Sequence, residues 1–264
     1  MKSGRTIVIT SGKGGVGKTT SSANIAASLA LLGNSVVVID ADIGLRNLDV
    51  VMGLENKIVY NLVDLTERKC RVRQALISDG RIDNLYLIAA SQTRDKSAVT
   101  PMQMIQLTRE LAEIFDFTVI DCPAGIERGF RNAIAGAKEA IVVTTPQVSA
   151  VRDADKILSL LKKENFNTPL LVINRMRADM IKKGDMMSID DMLDILPANL
   201  LGVIPEDRHI VVSSNMGQPA VLTKGSIASA AYMNIARRLC DEDVPLTELD
   251  PKPSFIRRLA GMVQ

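Results

Sequence analysis

The chain has 264 residues, 47% of them hydrophobic and 23% charged, enough to bury a substantial core and better suited to one large α/β domain than to two small ones. Its formal net charge of +2 neither requires nor excludes an anionic partner, so any nucleic-acid or membrane surface has to be argued from local patches. Cys70, Cys122 and Cys240 are odd in number and widely separated, which excludes a disulfide framework and a C-x-x-C metal or redox pair and fits a reducing compartment. No apolar run approaches the roughly 18 residues that span a bilayer, no signal-peptide pattern precedes the first strand, and no repeat period is visible.

The first predicted strand is the β-branched run 6–10. Next come Gly12-Lys13-Gly14-Gly15-Val16-Gly17-Lys18-Thr19 and a helix-forming run at 20–32, together the strand, glycine loop and helix N-terminus of a triphosphate cradle. The glycines let backbone N–H groups turn inward around phosphate oxygens, and the helix end adds about half a positive charge to the same pocket. Lys18 is expected to reach the β and γ phosphates, and the Thr19 hydroxyl to ligate Mg²⁺, with Thr20 completing the loop. Lys13 is unusual, since a second ammonium beside a phosphate lysine needs several negative charges to compensate it; a solvated loop charge is the plain alternative.

Apolar runs at 36–39, 85–89, 118–120, 140–144, 170–173 and 201–204 follow, most of them separated by segments of helical periodicity. The fold class expected is α/β: a mostly parallel twisted sheet with helices on both faces and ligands at the carboxyl ends of its strands. Asp40, Asp121, Asn174 and Pro205 each close one of these runs, beside the glycine loop that closes the first. A lone acid at a strand end is often only a cap, but joint placement at one edge favours a shared site. A buried, unpaired Asp121 would be costly, which favours a metal role. Asn174 could equally satisfy a local turn. His209, the only histidine, reads as a surface or packing residue, and Cys122 as a small core residue without a redox role.

Pro245, Pro251 and Pro253 mark a linker at 241–254 that ends the globular part at about 240. In the last segment, 255–264, helical periodicity gathers Phe255, Ile256, Leu259, Met262 and Val263 on one face, with Arg257 opposite and Arg258 at the border. This is the pattern of a basic amphipathic membrane helix, although such a stripe can also dock on its own domain. A single tail should bind weakly, because ordering a helix shorter than roughly 12 residues offsets much of its burial. Two tails on one dimer can exceed single-tail affinity by about 10² to 10⁴, and anionic lipid should help through Lys252, Arg257 and Arg258. The pairs Lys162-Lys163 and Arg237-Arg238 read as solvated helix faces, so no nucleic-acid partner is expected.

The Lys13-to-Thr19 run resembles the deviant Walker A motif of the ParA/MinD family of P-loop, SIMIBI-type ATPases. That resemblance implies an ATP-dependent homodimer in which Lys13 contacts nucleotide across the interface, so Lys13 and Lys18 are both catalytic. Residues 40–49 resemble its switch I: Asp40 would bind Mg²⁺ through water, and Asp42, projecting from the same face, would position the attacking water rather than act as a full general base. Residues 119–125 resemble its Walker B and switch II segment, with Asp121 holding the Mg²⁺ water shell. Asn174, Arg175, Pro205, Glu206 and Asp207 align with base-binding elements that imply ATP rather than GTP.

Residues 46–54, 90–96, 123–127, 152–155 and 202–207 together look like the septum-site-determining branch of this family. Members of that branch dimerise with ATP, bind membrane, recruit the division inhibitor MinC and are released when MinE stimulates hydrolysis, so they are cytoplasmic and reversibly at the inner face of the cell membrane or its plastid equivalent. Asp153 and Asp155 match positions used at the dimer and partner surface. The tail departs from the best-known bacterial ones at Ala260, where a bulky aromatic is often found. The family's flagellar-number regulator and its ParA-type DNA-segregating ATPases are the alternatives. Its nitrogenase-type electron donors need a cysteine pair that this sequence lacks.

Overall fold

The structure, a computed structural model, describes residues 3–95, 97–247 and 249. The expected amphipathic helix at 255–264 lies outside the described residues. The strands are β1 (Arg5–Thr10), β2 (Val36–Asp40), β3 (Ile77–Ser78), β4 (Leu85–Ile88), β5 (Phe117–Asp121), β6 (Glu139–Thr144), β7 (Leu170–Met176) and β8 (Asn199–Pro205). They form one 8-stranded sheet in the order β3-β4-β2-β5-β1-β6-β7-β8, parallel except where β3 pairs with β4. The helices are α1 (Lys18–Leu31), α2 (Leu48–Met52), α3 (Leu62–Thr66), α4 (Val72–Ala75), α5 (Pro101–Leu111) and α6 (Arg128–Ala135). They continue with α7 (Val148–Lys163), α8 (Ala178–Lys183), α9 (Ile189–Ile195), α10 (Arg208–Asn215) and α11 (Ile227–Leu239).

Alternation along the strands divides the core in two. Val8, Val37 and Ile39 point to one side and join α3, α5, α6, α7 and α9. Ile7, Ile9, Val36 and Val38 point to the other and join α1, α2 and α11. Central strands buried on both faces are therefore continuously apolar, which is why their sequence signal is strong. The connections are equally local in origin: α5 opens on Thr100, whose side chain accepts from the Gln103 N–H in a capping box, with Pro101 in the first turn.

Three details differ from the sequence expectation. β3 is two residues long and antiparallel at the sheet edge, so it has no periodicity to read. β7 runs past Ile173 to Met176, but with a register shift there that puts Arg175 in the left-handed region at φ 60°. Arg238 is half-buried and engaged rather than a plain solvated charge: its guanidinium donates to the carbonyls of Leu201 and Val244 at 2.8 Å and to that of Pro245.

Candidate active site

Parallel pairing brings the ends of β1, β2 and β5 together, with Asp40 directly in register with Asp121. Into this point the glycine loop delivers the first turn of α1. Gly17 is the residue before the helix and holds φ 93°, where a side chain would be strained; its missing Cβ would also lie 2.3 Å from the Asn174 carboxamide nitrogen. Asn174 uses that contact, donating from Nδ2 to the Val16 carbonyl at 2.8 Å while its Oδ1 accepts from the Arg175 N–H at 2.9 Å. The bulge in β7 thus brings a buried amide from a distant strand onto the glycine loop.

Asp121 is the hub. Its Oδ1 accepts from Lys18 Nζ at 2.9 Å and from Ser22 Oγ at 2.7 Å, and its Oδ2 accepts from Thr19 Oγ1 at 2.8 Å. Lys18 and Asp121 are 7% and 1% exposed, so this is a buried ion pair. Burial alone would lower the Lys18 pKa, but the Asp121 charge and hydrogen bond outweigh it and the ammonium stays charged. Ser22 was not among the residues read from the sequence; its one signal is its position a helical turn after Lys18, whose carbonyl it also reaches at 3.1 Å.

Asp40 is the second acid. Its carboxylate accepts from the Asp42 N–H at 2.9 Å and from the Leu48 N–H at 3.2 Å, the latter at the start of α2. Burial, then the charge of Asp121, push its pKa up to about 7 despite those two donors. Two carboxylates in register, with the Thr19 hydroxyl on one of them, are a donor set that fits a hard divalent cation, whose charge would relieve that repulsion. Asp42 lies just past the end of β2, so strand alternation does not carry to it; it sits half-buried at the start of a turn in which Leu45 and Arg46 donate to its carbonyl at 3.2 and 3.3 Å.

The remaining candidates surround this centre. Exposed Lys13 has its Nζ 3.4 Å from Ser149 Oγ on α7, and Gly12 abuts the backbone of Asp153 so closely that a Cβ there would be 2.3 Å from the Asp153 carbonyl oxygen. The expected partner surface therefore adjoins the glycine loop. Asp153 and Asp155 are both half-buried, and Asp153 pairs with Lys156 at 3.1 Å. Gly14 and Gly15 are exposed, and Thr20 is half-buried with its carbonyl taking an N–H of Asn24 at 2.8 Å. Pro205 ends β8, and exposed Glu206 lies 3.7 Å from Arg177.

Asp207 turns inward. Its carboxylate caps α10 through the His209 N–H at 2.9 Å and also takes the Ser226 hydroxyl at 2.7 Å, the Ala228 N–H at 3.2 Å and the His209 ring nitrogen at 2.8 Å. His209 is thus part of this cap. Cys122 is fully buried, and burial pushes its thiol up to about 12, which leaves it inert.

A glycine loop opening a buried helix, a lysine and threonine on one strand-end acid, and a second acid in register with it define a P-loop NTPase. A family model described as ParA: NUBPL iron-transfer P-loop NTPase matches residues 2–240. The septum site-determining protein MinD of Bacillus subtilis is 54% identical, over 94% of this chain and 93% of its own. Among solved structures, the MinC:MinD cell division protein complex of Aquifex aeolicus superposes with a TM-score of 0.86 at 42% identity, covering 92% of this chain and 99% of that one. The septum site-determining protein of Pyrococcus horikoshii, complexed with Mg-ADP, gives 0.81 at 30% identity over 89% of this chain and 95% of its own. This chain belongs to the MinD family of septum site-determining P-loop NTPases.

Proposed function

We propose that this protein is a Mg²⁺-dependent ATPase that works as a membrane switch in placing the division site. The observation that carries the reading is the Asp121 network. Lys18 and Thr19, the two side chains that a triphosphate and its cation require, are both held on one buried carboxylate beside Asp40. Transfer of Lys18 to the β and γ phosphates exchanges an internal ion pair for charge-matched contacts with the ligand, while Ser22 stays on Asp121. Thr19, Asp40 and Asp121 would hold Mg²⁺, which supplies charge neutralisation at the transferring phosphoryl group. Asp42 positions the attacking water, and Asn174, Arg175 and the 205–207 loop face the adenine.

Lys13, exposed at the loop rim, contacts the nucleotide of a facing copy, which makes dimerisation depend on the triphosphate. The dimer then presents paired tails, 255–264, whose joint affinity holds it on anionic lipid. The Aquifex relative is solved with MinC, and we extend that partner to this chain through the surface at Asp153 and Asp155, with MinE releasing the complex by stimulating hydrolysis. Among the described residues no helix is long and apolar enough to cross a membrane.

Liposome co-sedimentation tests the switch. Protein should pellet with vesicles in ATP, stay largely in solution in ADP, and lose the difference when 255–264 are deleted. Equal pelleting in both nucleotides would sink the model. Substituting Asp153 should weaken MinC binding while leaving ATP binding intact.

A further inference from the structure

Arg81 stands outside the site, in the turn between β3 and β4, and although itself exposed it donates four side-chain hydrogen bonds to three different residues. Its guanidinium grips Asp79, 2% exposed, through Nε at 2.9 Å and Nη2 at 2.7 Å. The same group donates to two backbone carbonyls on other elements, that of Gly217 at 2.8 Å and that of Met52. Met52 is the last residue of α2, and Gly217 follows the end of α10. The two helices meet at this point without side chains between them: a Cβ on Gly53 would lie 2.3 Å from the Gly217 oxygen, and one on Gly217 would lie 2.9 Å from the Gly53 Cα. Arg81 therefore locks a glycine-on-glycine contact by binding a carbonyl on each side of it.

Each of those helices begins at the nucleotide site. The first N–H of α2, from Leu48, is held by Asp40 at 3.2 Å. The N-cap of α10 is Asp207, the last residue of the base-side loop. α2 is a stiff link of only five residues, so fixing its far end at Met52 fixes the Leu48 N–H, one of the two backbone donors that orient the Asp40 carboxylate.

We infer that Arg81 is a positioning residue for Asp40: acting through α2, it sets the geometry of the metal-side acid and ties it to the base-side helix α10. The inference rests on the assignment of Asp40 to Mg²⁺ made above. A guanidinium suits this task because its planar fork satisfies a carboxylate and two carbonyls at once, which a lysine ammonium cannot do with the same rigidity.

The test is the Mg²⁺ dependence of binding of a fluorescent mant-ADP to the full chain, which involves no turnover. Arg81→Ala is combined with Asp79→Asn, so that no buried charge is stranded. This double variant should need at least about five-fold more Mg²⁺ to reach half of its gain in nucleotide affinity, with Arg81→Lys in between. Arg5→Ala, which breaks a bidentate pair with Glu139 at the amino ends of β1 and β6, away from the strand ends that carry Asp40 and Asp121, should lower the melting temperature without moving the Mg²⁺ midpoint. A wild-type midpoint in the Arg81 double variant, or an equal shift in Arg5→Ala, would overturn the inference. Asp40→Asn separates the two readings. If it leaves the midpoint unmoved, the metal assignment itself fails; if it shifts the midpoint and the Arg81 variants do not, only the role of Arg81 fails.

Discussion

Ser22 shows how much of a site can rest on a residue that touches no ligand. Asp121 Oδ1 has two donors, Lys18 and Ser22, both buried. Once Lys18 turns to phosphate, Ser22 is the protein donor left on that oxygen, and a buried carboxylate oxygen without one costs about 1–3 kcal/mol. Ser22→Ala should therefore cost little without nucleotide, where the ion pair remains, and more with it. The expected result is a clear reduction in the rise of melting temperature that MgADP produces; an undiminished rise would show that Ser22 is only packing. The loop itself was legible from its glycines and lysines because eight adjacent residues carry the chemistry. Ser22 was not, because a serine in a buried helix looks the same whether it faces a carboxylate or its own backbone. Asn174 was read as a strand-end residue but not as the amide that braces Val16, since that contact spans 158 positions of sequence.

At the scale of elements, the start of α10 combines a cap with a charge. Burial pushes the Asp207 carboxyl up, but the donors from His209, Ser226 and Ala228 outweigh it and hold the pKa at about 2. A group depressed from the ordinary value near 3.9 adds stability at pH values above that ordinary pKa, and loses it as pH falls towards the folded pKa. With the side chain only 5% exposed, the contribution at neutral pH is roughly 2 kcal/mol. Urea unfolding of wild type and Asp207→Ala should differ by about that amount at pH 7, and the gap should shrink between about pH 4 and pH 2. A constant gap over that range would mean that the carboxylate charge is not what Asp207 contributes. Elements buried on both faces, such as β2 and β5, announce themselves as apolar runs. β3 has two residues, too few to carry a period that a sequence can display, and α10 buries only Ser213, so its sequence does not tell which face it packs.

For the whole molecule, the open question of any parallel sheet is its edge. β8 ends the sheet on one side, and α11 ties the segment that follows it to this strand. Arg238 makes the link: one guanidinium binds Leu201 on β8 and Val244 and Pro245 in the connecting segment, and Leu249 packs partly against the core on the face opposite α11. The prolines of this segment suggested a free linker, but a proline still offers its carbonyl, and here that carbonyl is taken. Arg238 thereby ties this strap to a carbonyl of the edge strand. Arg238→Ala should release it. Cleavage by a glutamate-specific protease after Glu242, whose side chain is also held by Arg237 at 2.7 Å, should then accelerate at least about ten-fold, because a protease needs several residues freed around the bond. Nucleotide affinity should not change, since the hydrogen bonds of the Arg238 guanidinium go to Leu201, Val244 and Pro245 and none to the glycine loop. Unchanged cleavage would mean that packing of the segment, and not the arginine, holds it in place; faster cleavage with weakened nucleotide binding would mean that the sheet itself had loosened.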